Sequence, residues 1–124
     1  MDSTLLDKYL RDLKFIVLKD LSTGRPFAIH FGFKLPNVHY EIFLDAQRKF
    51  SKSNISVSVL GGGRITKRGN KIIFHSQSEK YGRYEDDVVL LLAPSHEMFV
   101  GKGFEFYSKA GENDVNKIIT ATNS

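Results

Sequence analysis

Phe27-Ala28-Ile29-His30-Phe31-Gly32-Phe33-Lys34-Leu35-Pro36-Asn37-Val38-His39-Tyr40-Glu41-Ile42-Phe43-Leu44-Asp45-Ala46-Gln47-Arg48-Lys49-Phe50 changes its hydrophobic period midway, and that change decides the fold class. Residues 27–33 alternate Phe27, Ile29, Phe31 and Phe33 with Ala28, His30 and Gly32, the period-two pattern of a half-buried strand. Leu35-Pro36-Asn37 stops it. Asn37 is a good N-cap, and Val38, Ile42, Phe43, Ala46 and Phe50 then recur at helical spacing, which predicts a helix to about residue 50.

The pattern extends in both directions. Upstream, residues 13–19 are rich in β-branched and aromatic side chains and read as a strand ended by a turn at residues 22–26. Before it, Leu5, Leu6, Tyr9 and Leu10 behind Ser3 predict a short leading helix. Downstream, Ser51-Lys52-Ser53-Asn54 ends the main helix, and Ile55, Val57 and Val59 begin a strand that enters a glycine-rich bend at Gly61-Gly62-Gly63. Lys67-Arg68-Gly69-Asn70-Lys71 is the turn of a hairpin whose second strand covers residues 71–76. Asp86 and Asp87 precede Val88-Val89-Leu90-Leu91-Leu92, acids at a start that complements a helix dipole, so a second helix is expected before Pro94. Residues 104–107 alternate as a late strand, and Val115, Ile118 and Ile119 allow a short docking helix in a polar tail. The expectation is an α+β fold: one domain over residues 1–124, with one mixed or mostly antiparallel sheet packed against two main helices.

Composition narrows the function. The chain has 124 residues, 18 Lys plus Arg against 14 Asp plus Glu, a net charge of +4 and no cysteine, and its isoelectric point is near 9.3. A basic balance favours anionic partners. Without cysteine there are no disulfides, thiolate nucleophiles or Cys-type zinc sites, and the four histidines His30, His39, His75 and His96 lack metal-ligand spacing. No cofactor and no metal are expected. The first residues carry acids and no sustained apolar stretch, and the longest apolar run, 88–93, is six residues against the ~20 a bilayer crossing needs. The reading is a cytoplasmic protein with no membrane partner.

Three constellations can carry chemistry. His39 lies at a helix start, where N–H groups and the positive dipole end attract anions and disfavour imidazolium; a neutral His39 there can act as a general base, or simply cap the helix. Gly61, Gly62 and Gly63 let backbone N–H groups approach an anion that the Arg64 fork can hold, and they equally suit a bulge between strands. Ser76-Gln77-Ser78-Glu79-Lys80-Tyr81-Gly82 offers hydroxyls and N–H groups before the second helix, for phosphate or for an ordinary loop.

In this order the pieces resemble the Janus/Ocnus family, whose best-known members are small protein phosphohistidine phosphatases. The resemblance rests on Lys14 in Leu13-Lys14-Phe15-Ile16-Val17-Leu18, His39 in Val38-His39-Tyr40-Glu41-Ile42-Phe43, Leu60-Gly61-Gly62-Gly63-Arg64-Ile65, and Ser78-Glu79-Lys80-Tyr81-Gly82. It implies a metal-independent phosphatase acting on the P–N bond of phosphohistidine. His39 would be the catalytic base, and Lys14, Arg64 and Ser78 would hold the phosphoryl group. The backbone of Gly61, Gly62 and Gly63 and the N–H groups near Lys80 would complete the cage. It implies phosphohistidine-containing proteins or peptides as partners and inorganic phosphate as product. Val38 stands where the family typically has an aromatic residue, and Lys80 where it has alanine. Those departures motivate an alternative, a non-catalytic phosphoprotein-binding regulator of the same fold. A small basic nucleic-acid-binding module using Arg64, Lys67, Arg68 and Lys71 is a further alternative, and nucleic acid is the less expected partner.

Overall fold

The computed structural model describes residues 13–32, 39–96 and 99–107, and the backbone of 115–120. The strands β1 (Leu13–Asp20), β2 (Pro26–Phe31), β3 (Val57–Arg68), β4 (Lys71–His75), β5 (Gly103–Tyr107) and β6 (Val115–Thr120) form one sheet in the order β2-β1-β3-β4-β5-β6. Helix α1 (His39–Ser51) joins β2 to β3, and α2 (Asp86–Leu92) with a 3₁₀ turn (Ala93–Ser95) joins β4 to β5. Every pairing is antiparallel except β4 with β5. A parallel pair needs a crossover, which the segment containing α2 supplies. The expected α+β class with a mixed sheet and two helices is what the chain forms.

The helices cover opposite faces. Leu13, Phe15 and Val17 of β1 join Phe74, Phe104, Phe106, Val89 and Phe99 on the α2 side, while Ile16 and Leu18 join Ile42, Ala46 and Val57 on the α1 side. A central strand buried on both faces must read as a continuous apolar run, and Phe15-Ile16-Val17-Leu18 does. The α2 side is a phenylalanine cluster in which Phe74 stacks on Phe106 at 4.9 Å and meets Phe15 edge-on at 5.6 Å.

Two bulges flank one point of β1. Leu18 pairs with Ala28 and Lys19 with Pro26, so Phe27 is extra on β2; Val17 pairs with Gly61 and Leu18 with Val59, so Leu60 is extra on β3. An extra residue reverses the side-chain alternation beyond it. Phe27 therefore leaves the face of Ile29 and Phe31, where strict alternation would put it, and packs on Phe50 of α1 at 5.0 Å. On β3 the reversal sends Ile65 to the α2 side and turns Gly62 and Arg64 toward α1, beside Ile16 and Lys14. The glycine run expected to bend is thus the middle of an uninterrupted strand, and its bulge fixes which face Arg64 uses.

Helix α1 buries His39, Ile42 and Ala46, one stripe at helical spacing. It ends where the Ser53 and Ile55 N–H groups donate to Phe50 O and Asn54 takes a left-handed φ of 60°. The tail is a correction: residues 115–120 form an edge strand antiparallel to β5, not a docking helix. Val115, Ile118, Ile119 and Thr120 are β-branched, and β5 offers them a free ladder edge. The expected leading helix, Asn37, Val38 and Phe33 lie outside the described residues. No helix among the described residues is long and apolar enough to cross a membrane.

Candidate functional site

Lys14 and Arg64 are direct cross-strand partners, so their side chains leave the sheet side by side on the α1 face. The first residue of α1, His39, sits above the next row, where Ile16 pairs with Gly62. The loop after β4 closes the third side. Lys14, His39, Tyr40, Arg64, Gln77, Ser78, Glu79 and Lys80 line the resulting cleft of about 500 Å³. It lies at the amino end of α1, the end of a helix whose dipole and first N–H groups favour an anion.

His39 is 8% exposed, and its Nε2 lies 3.0 Å from Gly63 O. A carbonyl only accepts, so Nε2 carries the proton and the neutral ring keeps its lone pair on Nδ1. Among the described residues Nδ1 has no hydrogen-bond partner. Burial holds the imidazole pKa below its ordinary value; the hydrogen bond to Gly63 opposes this, and the charges of Lys14 and Arg64 reinforce it. The result is a neutral base in a cationic cleft.

Gly62 makes the approach possible. A Cβ there would lie 2.8 Å from Phe15 O, 3.0 Å from His39 Cδ2 and 3.3 Å from Ser78 Cβ. At Gly63 a Cβ would lie 2.5 Å from the Tyr84 ring, and at Gly61 it would meet the carbonyl of Arg83 at 2.7 Å. At Gly62 the backbone polar groups are engaged within the protein. The Gly62 N–H donates to Gly82 O at 3.1 Å, and Gly62 O accepts the Ser78 N–H at 3.0 Å, so Gly62 spends its polar groups on holding the loop. The glycines serve by lacking side chains.

Ser78 is 1% exposed, and its Oγ accepts the Tyr81 N–H at 3.1 Å, which leaves the hydroxyl proton for a second acceptor. The Gly82 N–H returns to Ser78 O at 3.0 Å. Across this tight turn the N–H groups of Glu79 and Lys80 have no partner among the described residues. Lys80 stands at the rim: its Nζ is 5.1 Å from the centre of the Tyr40 ring and 5.9 Å from that of Tyr81.

The structure thus gathers Lys14, His39, Arg64, Ser78 and Lys80 around one cleft. The other histidines are elsewhere: His30 is 2.9 Å from Asp45, His75 lies between Thr66 and Ser76, and His96 packs on Phe31. No group of three side chains able to hold a metal ion occurs among the described residues. Lys67, Arg68 and Lys71 surround the hairpin turn and do not line the cleft. Tyr40, Gln77 and Glu79 line the cleft without having been singled out individually in the sequence, although Gln77 and Glu79 fall in the 76–82 segment named for phosphate. Their places beside His39 and Ser78 were the available signal.

The family model for the Janus/Ocnus family (Ocnus) matches residues 12–92, a span that contains every one of these cleft residues and ends before β5. No curated protein matches the chain.

Proposed function

This chain belongs to the Janus/Ocnus family, and on that premise we propose that it is a metal-independent phosphatase that hydrolyses the P–N bond of phosphohistidine in cytoplasmic proteins and peptides. The observation that carries the reading is His39, neutral and tautomerically fixed by Gly63, in a cleft lined by Lys14 and Arg64. The phosphoryl group occupies the cleft with its oxygens toward Lys14, Arg64, the Ser78 hydroxyl and the N–H groups of Glu79 and Lys80. Water attacks phosphorus, and His39 Nδ1 takes its proton as the O–P bond forms. The P–N bond breaks with its electron pair going to the leaving imidazole nitrogen, which gains a proton from the His39 imidazolium or from solvent. Inorganic phosphate and an unmodified histidine side chain are released.

Little covalent work falls to the protein in such a reaction. Positioning and charge stabilisation dominate phosphoryl transfer, and donors already aimed at the equatorial oxygens need no reorganisation. The direct test measures phosphate release from a phosphohistidine peptide in EDTA, with the parent protein and a His39→Ala variant. Turnover by the parent and its loss in the variant is the expected result. Full turnover without His39 would overturn the mechanism, and phosphate binding without turnover in the parent would make the chain a phosphate-binding regulator.

A further inference from the structure

Arg83 lies outside the cleft lining, yet its guanidinium joins the start of the loop of residues 76–85 to β5 and α2. Nη1 donates to Ser76 O at 3.1 Å, at the loop's first residue. Nη2 donates to Tyr107 O at 2.6 Å, at the end of β5, and to Asp86 Oδ1 at 3.2 Å, at the first residue of α2. The plane of the group lies over the Tyr84 ring, with Cζ 4.4 Å from its centre, and that ring rests against Gly63.

These contacts close a frame. Backbone bonds hold the middle of the loop to Gly62 of β3, and the Arg83 side chain ties its start to the ends of β5 and α2. Ser76 needs such a tie because its φ of 63° is a left-handed conformation that a non-glycine residue adopts at a cost. Ser78 and the N–H groups of Glu79 and Lys80 follow within four residues. A lysine could not replace the fork, since the three acceptors lie in different directions and only a guanidinium carries five donors in one plane.

We propose that Arg83 is a positioning residue: it sets the Ser76–Lys80 segment at the height where Ser78 Oγ and the following N–H groups meet a phosphoryl group held by Lys14 and Arg64. This deepens the phosphatase reading and rests on it for catalysis, while its effect on phosphate binding stands apart from turnover. A misplacement of about 1 Å can cost on the order of 100-fold in rate without touching the reacting groups.

The test compares the parent, Arg83→Ala and Arg83→Lys for binding of inorganic phosphate by calorimetry and for hydrolysis of a phosphohistidine peptide. Arg83→Ala is expected to weaken phosphate binding and to lower kcat/KM by roughly 10- to 100-fold, with the pH midpoint set by His39 unchanged. Guanidinium ion added at millimolar concentration is expected to restore part of both in Arg83→Ala, since the vacated site is partly open to solvent, whereas Arg83→Lys restores little. Phosphate affinity within about twofold of the parent in Arg83→Ala, or a loss that guanidinium does not relieve in a protein with the parent's circular dichroism, would overturn the proposal. If the parent binds phosphate but hydrolyses nothing, the phosphatase reading fails and the affinity comparison still decides the role of Arg83. A parent that binds no phosphate overturns both.

Discussion

His39 Nε2 lies 3.0 Å from Gly63 O, and this one contact decides which nitrogen of the ring is basic. The carbonyl can only accept, so the proton stays on Nε2 and Nδ1 is left for chemistry. Gly63 belongs to β3 and His39 opens α1, so the tautomer is set by the packing of a helix on a sheet.

The pH dependence follows from this. Burial and the cations at Lys14 and Arg64 depress the His39 pKa, so the base form persists to lower pH than for an ordinary histidine. The acid limb of kcat/KM is expected to have its midpoint below ~6.5. The unfolded chain binds a proton at His39 that the folded chain refuses, so stability falls as pH drops from the unfolded pKa through the depressed folded one. Proton-detected titration of His39 checks the direction. Saturating phosphate should raise the midpoint, because a nearby dianion favours imidazolium; an unmoved midpoint would place the anion elsewhere.

The glycines give a pair of opposed outcomes. A Cβ at Gly62 meets a backbone carbonyl at 2.8 Å and the His39 ring at 3.0 Å, so neither neighbour yields easily. Gly62→Ala is expected to cost about 1–3 kcal/mol, as overpacking does, and to abolish phosphate binding by lifting His39 and Ser78. At the hairpin turn, Gly69 has φ 56° and open space around its Cβ position. Gly69→Ala should therefore cost about 1–2 kcal/mol through backbone conformation alone and leave phosphate binding intact. Thermal unfolding with and without phosphate separates the two, and equal phosphate binding in both variants would contradict the site.

The three cations are not equivalent. Arg64→Lys keeps the charge and loses the bidentate fork, and Lys14→Gln removes a charge beside it. Each is expected to raise the inhibition constant of inorganic phosphate by roughly 10- to 100-fold, the worth of a hydrogen bond to a charged group. Lys80, at the rim over Tyr40, which is 46% exposed, should contribute less: Lys80→Ala is expected to shift the constant by about two- to fivefold, in the range of an exposed cation–π contact. An equal loss at Lys80 and Arg64 would move the phosphoryl position outward to the rim.

Most elements were legible because their signals are local. The β-branched and aromatic run at residues 13–19, period two in residues 27–33, helical spacing from Ile42 to Phe50, the Gly69-Asn70 turn and the acids ahead of Val88 each act through neighbours in the chain, and β1, β2, α1, the hairpin and α2 formed where they were expected. The tail misled because Val115, Ile118 and Ile119 fit a helical stripe as well as a strand. Only the open edge of β5 chooses between them.

What the residues alone determined is the inventory: an α+β order of elements, an apolar run at Phe15–Leu18 and a possible anion site, while the family resemblance singled out His39, Lys14, Arg64 and Ser78. What tertiary structure decided is their relation. The bulge at Leu60 turns Arg64 to the side of Lys14, the bulge at Phe27 turns that ring to the side of Phe50, and Gly62 and Gly63 prove to be space for His39, Ser78 and Tyr84. Asp86 is a local partner of Arg83, but the acceptor that joins it to β5, Tyr107 O, is 24 positions away and carried no signal in the sequence. Periodicity is written in chain neighbours, but the register of a ladder and the filling of a gap depend on residues tens of positions away, which meet only once the sheet has closed.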